Sequence, residues 1–128
     1  MFASEIFELE FLIIAGDLNL TLSSDECWGK CRKRDPLADR FKMELLKKNL
    51  VDIAPTKMMP TWDNSRSGEA YIAKRIDRFI LHASIIDKMG MPISFIGSAF
   101  SSDHRPILLS CGRRASEWVT PSNLIGLG

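Results

Sequence analysis

A dominant charge is the first thing this chain lacks. Seventeen lysines and arginines stand against 16 aspartates and glutamates, a net charge of +1 at neutral pH. No global basic field therefore draws in nucleic acid, and any affinity for phosphate must be local. Cysteine is scarce and odd in number, since Cys27, Cys31 and Cys111 are the only three. That count argues against an extracellular disulfide framework, and Cys27-x-x-x-Cys31 has no second ligand pair with which to hold zinc. Free thiols in a reducing compartment are the expectation. Long apolar runs are also missing: Phe11 to Ala15 is far too short to span a bilayer. No basic region precedes the first apolar stretch, which Glu5, Glu8 and Glu10 interrupt, so no signal peptide is expected. The chain reads as intracellular, in nucleus or cytoplasm, with no membrane partner. Internal repeats and low-complexity segments are absent too.

What is present suffices for one domain. A chain of 128 residues with 45% hydrophobic content buries roughly two-thirds of its unfolded surface. Phe11 to Ala15, ending at Gly16, has the pattern of a strand buried on both faces, and its end delivers Asp17 and Asn19 to a loop. Residues 20 to 34 are polar and turn-rich, with Lys30, Arg32, Lys33 and Arg34 beside Trp28. Asp35-Pro36 starts a helix, because Asp caps orphan amides and Pro fits the first helical position. Leu37, Phe41 and Leu45 then mark its buried face, and Lys47, Lys48 and Asn49 close it. Leu50 to Ile53 is a short extended piece.

Thr61-Trp62 and Ala73 to His82 read as a strand pair around a turn-rich loop at 63–68. Pro92 to Ile96 and Pro106 to Cys111 give two more strands. His82 reads as a strand-boundary residue, and Met58-Met59-Pro60 as adaptable packing. The expected class is α/β: one mixed, largely antiparallel sheet of about five strands with one helix on its outer face. Residues 1–111 form the domain, and 112–128 read as a poorly ordered tail.

Three strings carry chemistry: Gly16-Asp17-Leu18-Asn19, Arg75-Ile76-Asp77-Arg78-Phe79-Ile80, and Ser102-Asp103-His104-Arg105-Pro106-Ile107. In that order they resemble the second half of the endonuclease/exonuclease/phosphatase family, which includes deoxyribonuclease I and abasic-site endonucleases. Trp28-Gly29 and Asp35-Pro36-Leu37-Ala38-Asp39, following Asn19 to Ser24, bring the resemblance closest to the endonuclease domains of plant non-LTR retrotransposons. It covers roughly residues 10 to 111.

The resemblance implies a fold and a site. The fold is the C-terminal half of an α/β/β/α sandwich. Asp17 helps to activate the attacking water, and Asn19 holds a phosphate oxygen or the metal-bound network. Asp103 lies near a Mg2+ ion that Asp17 also approaches. His104 donates to phosphate while Asp77 accepts from its other ring nitrogen. Such a carboxylate fixes the tautomer and favours the imidazolium, a strong donor to an anion. Arg105 is an extra phosphate contact, and Lys30, Arg32, Lys33 and Arg34 are candidates for a DNA backbone. Trp62 matches the family's strand tryptophan and reads as core.

The family's first half, with its metal-binding Glu, has no counterpart in these residues. The leading expectation is therefore a retrotransposon-derived fragment of a magnesium-dependent phosphodiesterase, inactive alone. Two alternatives stand beside it: an active DNA phosphodiesterase completed by a missing first half, and a non-catalytic module that binds protein or nucleic acid. An unpartnered sheet face, drawing on Leu12, Ile14, Ile76, Ile80, Phe95 and Leu108, implies self-association.

Overall fold

The computed structural model describes residues 11–30, 34–99 and 102–111. Their strands are β1 (Ile13–Asp17), β2 (Cys27–Gly29), β3 (Leu50–Asp52), β4 (Trp62–Asp63), β5 (Ile72–Lys74), β6 (Asp77–His82), β7 (Ile93–Ile96) and β8 (Ile107–Ser110). Helix α1 (Ala38–Lys47) precedes β3, and α2 (Ala83–Met89) follows β6 directly. The class is α/β, as expected, but the strands divide among three small sheets rather than lying in one. Their orders are β1-β6-β3, β2-β5-β4 and β7-β8, and all of these pairings are antiparallel. No described helix is long and apolar enough to cross a membrane.

The division has a local cause at Arg75-Ile76. The expected single strand from Ala73 to His82 breaks there because its amides turn to other partners. Arg75 N donates to Glu26 O (3.0 Å), while Ile76 N and Asp77 N both donate to Thr61 Oγ1 (3.0 and 3.1 Å). The chain thereby leaves the sheet of β5 and enters that of β6. In β2, Gly29 has φ 106° and pairs with Ile72. A Cβ at Gly29 would lie 2.1 Å from Tyr71 O, so this register needs glycine.

Both faces of β6 are covered, since successive side chains point to opposite sides. On one, Ile80 packs with Leu45 of α1 and Leu50, supported by Leu12, Ile14, Leu18 and Phe41. On the other, Leu81 packs with Ile53 and Ile85, supported by Val51, Phe79, Ile86, Leu109 and Cys111. Ile85 comes from α2, a helix not expected from the sequence. Of the six residues expected to leave a face open, Ile76 and Ile80 are buried. Leu12, Ile14 and Phe95 are half-buried, and Leu108 is exposed. Strand β1 is not buried on both faces: among the described residues it pairs with β6 alone, and its residues alternate between exposed and half-buried.

Helix α1 starts later than expected. Asp35 does accept from Leu37 N (2.9 Å) through its carboxylate, and from Ala38 N (3.1 Å) through its carbonyl, but these bonds form a turn ahead of the helix. Leu37 is consequently 61% exposed, and the helix buries Ala38 and Leu45, with Phe41 half-buried beside them.

A charged cluster joins the two three-stranded sheets. Glu26, Arg75 and Arg78 are all buried. Glu26 bridges Arg75 Nη1 (2.6 Å) and Arg78 Nη2, while Asp52 accepts from Arg78 Nη1 (2.8 Å). Arg75 Nη2 also donates to Ile53 O (3.0 Å). Two guanidiniums and two carboxylates balance, which is what burial of charge demands.

Candidate functional site

The site begins at the end of the β1–β6 ladder, where Asp17 is registered opposite Asp77. The next pair along, Leu18 and Ile76, is joined by Leu18 N donating to Ile76 O (3.0 Å). Asp17 and Asp77 are therefore a non-hydrogen-bonded pair, the arrangement that brings cross-strand side chains closest. Two carboxylates on one face at that separation repel unless a cation lies between them.

His104 supplies it. The segment before β8 is laid against β4 by a bridge between Trp62 and His104. Arg105 N donates to Thr61 O (2.7 Å), and Asp63 N donates to Asp103 O (3.2 Å). This backbone pairing aims the imidazole at the two aspartates. Its Nδ1 lies 2.9 Å from Asp77 Oδ2, and its Nε2 lies 3.8 Å from Asp17 Oδ2. The first contact is a hydrogen bond. The second is too long to be one, so Nε2 stays open toward Asp17, where it is a donor when the ring is protonated.

Electrostatics follow from the geometry. The bond to Asp77 lifts the His104 pKa; partial burial opposes this, and the charges of Asp77, Asp17 and Asp103 reinforce it. The ring is thus biased toward imidazolium, with one nitrogen held and the other presented.

The remaining sequence-predicted residues fall around this trio. Asn19 is exposed and left-handed (φ 54°), and its amide donates to Asp17 Oδ1 (2.8 Å), so its visible role is to hold the Asp17 carboxylate. Asp103 lies outside the trio: its Oδ2 accepts from Trp62 Nε1 (3.3 Å) and its Oδ1 from Ser102 Oγ (3.4 Å). Arg105, expected to contact phosphate, donates from Nη1 to Pro60 O (2.6 Å). Lys30 pairs with Glu69 (2.8 Å) and Arg34 with Asp39. Those two cations of the basic loop have carboxylate partners, while Arg32 and Lys33 lie outside the described residues. Cys27 is a buried free thiol and Cys111 a half-buried one; Cys31 lies outside the described residues. His82 is a boundary residue as expected, its Nδ1 accepting from Ser84 N (3.1 Å) at the start of α2. Trp62, read as core, instead holds Asp103. Its Nε1–H needed an acceptor, a signal that the tryptophan itself carries.

One ligand atom each from Asp17, Asp77 and His104 lie within 4.8 Å of one another, close enough to meet one cation. For Mg2+ the fit is poor. Asp77 Oδ2 accepts from the ring, the same hydrogen bond biases that ring toward a charge that would repel a cation, and Mg2+ favours near-octahedral oxygen ligands. Asp17, whose Oδ2 is 3.8 Å from His104 Nε2, is the more exposed carboxylate of the two. Compared with family models and with curated proteins, the chain matches none.

Proposed function

We propose that this chain carries the phosphate-binding end of a phosphodiester-hydrolysing site, of the kind found in the second half of endonuclease/exonuclease/phosphatase domains. One observation carries the reading. Asp77 Oδ2 and His104 Nδ1 are 2.9 Å apart across 27 positions of sequence, with Asp17 set at the other ring nitrogen. In this role the His104 imidazolium donates from Nε2 to a non-bridging phosphate oxygen and offsets charge that grows as the phosphorus is attacked. Asp77 holds the ring, and Asp17 accepts a proton from the attacking water. The bond formed is from water oxygen to phosphorus; the bond broken is from phosphorus to the leaving oxygen, which takes a proton from solvent while Asp17 returns its own. Were Mg2+ bound, Asp17 would hold it together with oxygens from substrate phosphate and a complementing first half, and the ion would polarise the phosphoryl oxygen.

The test is plasmid nicking in Mg2+. The chain alone is expected to nick no faster than the Asp17→Ala, His104→Ala double variant. Joined to the first half of a retrotransposon endonuclease, it is expected to nick, and the double variant is not. Strong nicking by the chain alone, abolished by the two substitutions, would overturn the proposed incompleteness. Silence in the joined form would overturn the phosphodiesterase reading itself.

A further inference from the structure

Both members of the Asp77–His104 pair hang from one residue that no motif singles out. Thr61 is fully buried and lies where β4, the β5–β6 junction and the His104 segment meet. Its hydroxyl oxygen accepts from Ile76 N (3.0 Å) and Asp77 N (3.1 Å), and the same oxygen lies 3.5 Å from Lys74 O. Its amide donates to Lys74 O (2.9 Å), and its carbonyl accepts from Arg105 N (2.7 Å). A threonine hydroxyl has two acceptor sites and one donor, and here both acceptor sites are occupied.

We propose that Thr61 is a positioning residue for the Asp77–His104 pair, an inference that rests on reading this pair as the functional centre. The hydroxyl sets the backbone of Asp77, and the carbonyl sets the backbone beside His104. One buried residue thereby fixes the distance between two residues that approach from different segments, Asp77 from β6 and His104 from the segment before β8. The β-branch matters too, because it restricts the rotamer that aims Oγ1 at the junction. Valine would keep that shape while leaving the buried Ile76 amide and the part-buried Asp77 amide without an acceptor. Serine would keep the acceptor.

The experiment is solution NMR on the full chain and its Thr61→Val and Thr61→Ser variants. Two signals are read: hydrogen exchange at the Ile76 and Asp77 amides, and the downfield His104 Nδ1–H proton that an imidazole bonded to a carboxylate displays. Thr61→Val is expected to speed exchange at both amides about tenfold or more and to abolish the Nδ1–H signal. Thr61→Ser is expected to retain both. A folded Thr61→Val with an unchanged Nδ1–H signal would overturn the proposal. Should Thr61→Val not fold, Thr61→Ser decides: a retained signal supports the proposal, and a lost one overturns it by showing that the hydroxyl is not sufficient. These readouts follow the pair rather than turnover. Failure of the nicking assay would therefore leave the positioning role of Thr61 to stand or fall on its own signals.

Discussion

Glu26→Ala is expected to destabilise the fold by about 3–5 kcal/mol, the usual cost of removing one partner from a buried ion pair. The loss is large because Glu26 serves three groups at once. It accepts from Arg75 and Arg78, and from Leu22 N (2.6 Å). Alanine leaves two buried guanidiniums to share Asp52, and a buried amide without its acceptor. Against the ordinary stability of a small domain, about 5–15 kcal/mol, that is a substantial fraction. Urea denaturation followed by circular dichroism measures it. A change below about 1 kcal/mol, the range of an exposed pair, would show that the cluster does not bind the two sheets together.

The same cluster has a pH signature. Burial pushes the Glu26 carboxyl up, but the Arg78 hydrogen bond, the Leu22 amide, the Arg78 charge and the Arg75 hydrogen bond outweigh it. The result lies below the ordinary carboxylate range. A folded-state pKa below the unfolded one stabilises the fold above the unfolded value, and that stabilisation is lost as pH falls through the folded value. Glu26→Gln should therefore cost stability at neutral pH and flatten the acid limb of the stability curve.

In a domain completed by a first half, His104→Ala is expected to slow nicking about a hundredfold to a thousandfold, the range for removing one well-placed donor from developing negative charge. Asp77→Asn should act in the same direction, because the amide can still accept from Nδ1–H but no longer favours the charged ring. The two losses should not add. Asp77 acts through His104, so the double variant should be little worse than His104→Ala alone. Rates that multiply would mean that Asp77 meets substrate, water or metal independently of the ring.

How much of this was legible in the residues depends on where each interaction is encoded. Asp17, Asp77 and His104 stand in short strings, and their convergence followed from the resemblance those strings carry. Strand β1 was visible as an apolar run, but its partial exposure was not, because a run of Phe, Leu and Ile reads alike whether one face or two are covered. Arg78 fits an alternating strand as a surface residue. Its burial depends on Glu26, 52 positions away, and no local pattern couples them. Thr61 was silent for another reason: its work is done on backbone amides, which have no letter in the sequence. Helix α2 is only seven residues long and follows β6 without a loop, too short for its period to separate from the strand's.

The central claim is that Asp77 holds His104 as an imidazolium beside Asp17. It is tested most directly by following the His104 ring by NMR against pH in the wild-type chain and in Asp77→Asn. The wild-type midpoint is predicted to lie above the ordinary imidazole value of about 6.5, in the direction set first by the Asp77 hydrogen bond, and to fall back in the variant. The stability from this pair should correspondingly be complete below the ordinary value and disappear as pH rises through the folded one. Coincident midpoints in the two proteins would contradict the claim, because Asp77 would then exert no hold on the ring.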